Sequence, residues 1–219
     1  MRQATILVTG VGSSAAKVAY YRKTWRDPDG FVFDYNSRSK LVDAVNFLKN
    51  KRRGSFGDRV QRLAAFVEEI ADKYQNNVRI LAHSHGALLV QRALEHLYAQ
   101  DPAGISKFDV VTYGPGQPVP VKSATLVLHT AVNTININDF VRFVSTAFRK
   151  TLQLKNFPLG KEVCVKDGST AKTAKTYCII VLPPAARGHR DYEWKDIIGI
   201  DTVTRQPRQP RSWPGTAGR

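Results

Sequence analysis

The stretch Val78-Arg79-Ile80-Leu81-Ala82-His83-Ser84-His85-Gly86-Ala87 carries the strongest chemical signal in the chain, because an apolar run leads into a helical pattern with a serine at the junction. A serine hydroxyl is a weak nucleophile until it is exposed and a nearby base can take its proton. A tight, strained strand-to-helix turn exposes it, and such a turn demands small residues two positions before and two after the serine. Ala82 and Gly86 meet that demand, with alanine in place of the commoner first glycine. The plainer alternative is a helix N-cap serine, since serine near glycine is frequent.

The base and its orienting carboxylate must come from elsewhere in the chain. Of five histidines, His83 and His85 flank Ser84 and diverge around the turn, and His96 falls on the outer part of the following helix. His129 sits in or at the end of an expected strand, where a structural role is the simpler reading. His189 follows the last expected strand, in the loop Ala185-Ala186-Arg187-Gly188-His189-Arg190, and so emerges at the sheet edge that carries Ser84. For the acid, Asp139 leaves a strand through Asn133-Thr134-Ile135-Asn136-Ile137-Asn138 toward the same edge, although it also suits the N-cap of a helix beginning near Phe140. Asp34 is its chief competitor. Asp109 begins a strand, at the opposite edge, and Asp191 is too close to His189 in sequence to brace it.

Short apolar runs alternating with helical patterns position these residues. Strands are expected at 5–8, 31–33, 78–81, 108–113 and 125–128. From Asp58 onward Val60, Leu63, Ala64, Val67, Ile70, Ala71 and Tyr74 recur three or four apart, the spacing of a helix with one apolar face. Residues 86–99 and 139–148 read as further helices. This order makes the fold class α/β, a mainly parallel sheet with helices on both faces. Residues 162–165 and 177–182 then form a hairpin with a basic tip. Residues 1–204 make one domain, and residues 205–219, rich in Arg and Pro with no acid after Asp201, read as a disordered basic tail.

The chain order Ser84, Asp139, His189, each after a separate strand, resembles the α/β-hydrolase superfamily. Ala82-His83-Ser84-His85-Gly86 and the compact length are most similar to small lipases and esterases, including fungal-type triacylglycerol lipases, over roughly residues 4–198. Those lipases often carry His-Gly-x-Gly after their first core strand. Here Val8-Thr9-Gly10-Val11-Gly12-Ser13 matches, with Thr9 in the place of the histidine. The resemblance implies an oxyanion hole made of the backbone N–H groups of Val11 and His85. It also implies hydrolysis of carboxylic esters, lipid-like acyl esters first among them, through an acyl-enzyme on Ser84 with no cofactor.

Other chemistry is less well served. Zinc on His83 and His85 would need a third ligand from His129 or His189, which the diverging turn makes hard to assemble. Gly10-Val11-Gly12-Ser13-Ser14 lacks both the dinucleotide glycine spacing and a Gly-Lys-Ser/Thr ending. Cys164 and Cys178 lie on the two arms of the hairpin and face each other if its turn centres near residue 171; reduced thiols are expected.

The 219 residues are 42% hydrophobic and 23% charged, which excludes a chain disordered throughout, and carry 33 Lys and Arg against 18 Asp and Glu, a net charge of +15. No run approaches the roughly 18 apolar residues of a spanning helix, and residues 1–10 leave no room for a signal-peptide apolar core. The expectation is a cytoplasmic protein or one peripheral to a membrane or particle. The charge gathers at Lys49-Asn50-Lys51-Arg52-Arg53, at 149–175 and in the tail. It would draw an anionic membrane surface or, without base selectivity, nucleic acid. The rival reading is therefore a basic binding protein on a catalytically inert hydrolase scaffold, docking on nucleic acid, anionic membrane or a virion-like particle.

Overall fold

The computed structural model describes residues 2–10, 27–33, 57–136, 158–168, 170 and 173–182. Within them one sheet holds β1 (Ala4–Val8), β2 (Gly30–Phe33), β3 (Val78–His83), β4 (Asp109–Tyr113), β5 (Thr130–Asn136), β6 (Glu162–Asp167) and β7 (Lys175–Leu182), in the order β2-β1-β3-β4-β5-β7-β6. Every neighbouring pair is parallel except β6 with β7. Among the described residues three helices accompany it: α1 (Asp58–Lys73), α2 (His85–Tyr98) and the short α3 (Pro102–Ile105).

Local chemistry explains most of these elements. All five residues of β1 are buried, as befits a parallel strand covered on both faces. The expected stripe of α1 is buried from Val60 to Ala71, while Asp58 in its first turn and Lys73 in its last complement the helix dipole. The connections from β2 through α1 to β3, and from β3 through α2 to β4, step across the sheet in one direction. Right-handed crossovers then put α1 and α2 on the same face, where they pack on each other and on β1. The main core lies there, with Ile6, Leu63, Ile80, Leu89, Leu94 and Phe108 inaccessible to solvent. The helix expected at 139–148 and the basic tail lie outside the described residues.

Two expectations need correction. Residues 125–128 do not form the fifth strand; they contribute a single bridge, Lys122 with Val127, and the strand is Thr130–Asn136. The polar look of Asn133 and Thr134 hid a strand in which both are buried and the Asn133 amide is hydrogen-bonded rather than solvated. The cysteines are joined rather than reduced. Cys164 and Cys178 stand directly opposite in the antiparallel register, with Cα atoms 4.0 Å apart, and form a disulfide. The hairpin itself is present, and β7 also pairs with β5, so its arms are the sheet's last two strands.

Candidate active site

Ser84 joins β3 to α2 with φ +53° and ψ −121°, the conformation of the first central residue of a type II′ turn, a place normally taken by glycine. Holding a residue with a side chain there costs on the order of 1–3 kcal/mol. An N-cap serine has extended dihedrals and accepts a hydrogen bond from the first helical turn. Ser84 has neither feature, since its side chain makes no capping bond. The backbone holds the turn instead: the Ser84 N–H donates to the Tyr113 carbonyl at 3.0 Å, and the Ser84 carbonyl accepts from Ala87 N–H at 3.2 Å and Gly116 N–H at 3.1 Å. The serine is partly exposed, the condition for meeting a substrate.

Small residues let the neighbouring chain close on this turn. A Cβ on Gly86 would lie 2.7 Å from the Thr9 carbonyl oxygen and 2.8 Å from that of Val8, so only glycine lets the first turn of α2 abut the end of β1. A Cβ on Gly10 would come within 2.9 Å of both Ser84 Cβ and His83 Nδ1. Ala82 is wholly buried. The chain leaving β1 therefore runs directly against the serine. Because β2 lies on one side of β1 and β3 on the other, this is where the sheet order reverses, and ligands of open α/β sheets bind in that crevice. The amide of His85 sits at the N-terminus of α2, the end of a helix that favours negative charge.

Of the other expected site residues, Val11, Asp139 and His189 lie outside the described residues, as does Asp34. The strands that precede Asp139 and His189 end at the sheet edge that carries the serine. His83 pairs with Tyr113, Tyr113 with Thr134 and Thr134 with Ile180, so β3, β4, β5 and β7 finish at one edge.

His129 and Asp109 occupy the opposite edge, as expected for Asp109. His129 Nδ1 lies 2.9 Å from Asp109 Oδ1, and the Thr130 hydroxyl donates to the same oxygen at 2.8 Å. Burial opposes ionisation of Asp109, but the hydrogen bonds from His129 and Thr130 outweigh it and hold the carboxyl below its ordinary pKa. Five strand residues separate His129 from the level of His83, about 16 Å, so His129 cannot complete a zinc site with His83 and His85. Among the described residues, Glu162, Cys164 and Cys178 bring possible metal ligands together, with both sulfurs committed to the disulfide.

Sequence reasoning missed Asn133 and the loop at residues 114–120, which packs behind the serine. Its signal was the spacing of Pro115, Pro118 and Pro120, three residues without an N–H in a run of seven.

A family model described as "Alpha/beta hydrolase of unknown function" (DUF900) matches residues 15–133, more than half of the chain and the whole of the serine turn. No curated protein matches it. With a mostly parallel seven-stranded sheet and a match of this extent, the chain belongs to this α/β-hydrolase family.

Proposed function

We propose that the protein is a serine hydrolase of carboxylic esters, and the observation that carries this reading is the strained, partly exposed Ser84 between β3 and α2. Ser84 Oγ attacks the acyl carbon while His189 takes its proton. Asp139 holds the imidazole in the tautomer that can accept it. The carbonyl oxygen, now negative, is met by the N–H groups of Val11 and His85. Collapse expels the alcohol, which receives the proton from His189, and water activated by the same histidine releases the acid. The chemistry needs no cofactor.

Chain lengths support this assignment. Asp139 comes three residues after β5, a span of roughly 10 Å, and β5 lies two strands from β3, again about 10 Å. His189 has seven residues in which to cross three strand spacings, roughly 14 Å. Asp34 follows β2 directly and is also two strands away on the other side, so it remains the competing acid. The resemblance to fungal-type lipases favours lipid-like acyl esters, and the +15 charge would hold the enzyme at an anionic membrane where such esters concentrate.

Hydrolysis of p-nitrophenyl esters of graded chain length tests the reading. Turnover that Ser84→Ala abolishes, in a variant folded by circular dichroism, supports it; equal turnover by the Ala variant excludes Ser84 as nucleophile. Asp139→Asn should impair turnover more than Asp34→Asn. The reverse order would move the acid to Asp34.

A further inference from the structure

Residues 114–120, Gly114-Pro115-Gly116-Gln117-Pro118-Val119-Pro120, are buried except for the half-buried Gln117. Buried loops are uncommon because their backbone polar groups are cut off from water. Here the three prolines remove three donors. Gly114 N–H donates to the Thr134 carbonyl at 2.9 Å, Gly116 N–H to the Ser84 carbonyl at 3.1 Å, and Val119 N–H to Asn133 Oδ1 at 2.8 Å.

Asn133, with no solvent exposure, organises this loop. Its Oδ1 also accepts from the Thr112 hydroxyl at 2.9 Å, and its Nδ2 donates to the carbonyls of Val119 at 2.9 Å and Cys178 at 3.1 Å. Two bonds accepted and two donated use the full capacity of a primary amide. Neither a carboxylate, which cannot donate, nor an aliphatic side chain could replace it. A second tie runs from Gln117 Nε2 to Oε1 of the buried Gln91 on α2, at 3.1 Å.

The loop reaches the reaction through one peptide group. The Ser84 carbonyl and the His85 N–H belong to the same trans peptide plane and point in opposite directions, so whatever aims one aims the other. We infer that Asn133 is a positioning residue for the oxyanion hole: through the loop at 114–120 and the Gly116 bond to Ser84, it aims the His85 N–H at the substrate oxygen. This rests on the esterase reading above. Ala87 N–H shares the Ser84 carbonyl, but it belongs to the same turn, whereas Gly116 anchors it to the separate loop that follows β4.

The test uses the full chain with two readouts, steady-state ester hydrolysis and amide hydrogen exchange. Deleting an oxyanion donor costs 10²–10³ in kcat, so misaiming one in Asn133→Ala should lower kcat roughly 10- to 100-fold with KM nearly unchanged. Exchange of the amides of residues 84–88 should quicken while that of Asp58–Lys73 in α1 stays as in the parent. Gln117→Ala, which cuts the half-buried tie and leaves Asn133 in place, should do the same to a smaller degree, and it carries the test if Asn133→Ala does not fold. Unchanged exchange at 84–88, or quickened exchange with unchanged kcat, or an effect confined to KM would overturn the inference. A parent without turnover would overturn the esterase reading and the catalytic role with it, while the exchange data would still show whether Asn133 braces the turn.

Discussion

The two edges of the sheet hold similar functional groups in opposite arrangements. At the N-terminal edge His129, Asp109 and the Thr130 hydroxyl lie within hydrogen-bond distance, and on a list of residues they look like a catalytic set. The Thr130 hydroxyl, however, donates to the carboxylate that the imidazole also meets, and the His129 side chain is 70% exposed. The group closes on itself and ties the start of β5 to the start of β4. At the C-terminal edge the serine is held in a conformation it would not choose, and glycines at 10 and 86 admit the neighbouring chain against it. Positive φ alone does not make the difference, because Gln75 and Asn76, at φ +53° and +63°, merely form the turn that leaves α1. What distinguishes Ser84 is strain maintained by packing from three directions: β1, the helix and the buried loop.

The largest expected effect separates the two edges by their histidines. His189→Ala should cost about 10⁶-fold in kcat, because it removes the base of the proposed triad and with it nearly all of the triad's work. His129→Ala should leave kcat within about twofold, since its partner lies some 16 Å from the serine. A comparable loss in both variants would show that the N-terminal edge takes part in the reaction. Stability should separate the edges less steeply. Gly86→Ala drives a methyl into the Thr9 and Val8 carbonyls, and overpacking of this kind should destabilise by about 1–3 kcal/mol, read from denaturant midpoints. A neutral result would mean that the turn is not closely packed against β1.

The far end of the sheet offers a control in which stability and chemistry part company. The Cys164–Cys178 disulfide closes a loop with a sequence separation of 14, and opening it with a phosphine should cost at most about 3 kcal/mol while turnover of the still-folded protein persists. Thiol titration of the unfolded, unreduced protein should find no free thiol. The smallest effect belongs to Asp109. Its carboxyl is held below the ordinary pKa when folded, so its ionised form stabilises the fold above the unfolded-state value, and that contribution is lost as pH falls through the folded one. Asp109→Asn should therefore lower the melting temperature slightly at neutral pH, by an amount worth at most about 1 kcal/mol, and the difference should shrink in the acid range. A difference that grows on acidification would reverse the assignment.

Local patterns revealed what local physics determines. Buried parallel strands such as β1 read as apolar runs, α1 shows its stripe at helical spacing, and Ala82 and Gly86 advertise a tight turn because the steric demand falls on adjacent residues. The centre of the hairpin followed from counting, but its oxidation state did not, because redox conditions are not written in spacing. β5 was illegible for a different reason. Asn133 is polar in isolation and becomes a strand residue only when Thr112, Val119 and Cys178, 14 to 45 positions away, complete its hydrogen bonds. The pairing of His129 with Asp109 likewise depends on β4 and β5 being neighbours, a fact of topology that neither segment carries alone.

Covalent labelling tests directly, without any knowledge of the natural substrate, whether Ser84 is an activated nucleophile. A fluorophosphonate reacts with a serine that a neighbouring base has activated, and peptide mass analysis locates the adduct. One phosphonyl group per chain is expected on Ser84, lost in Ser84→Ala and suppressed in His189→Ala. A folded parent that takes up no label, or takes it up on another residue while Ser84 stays unmodified, would contradict it.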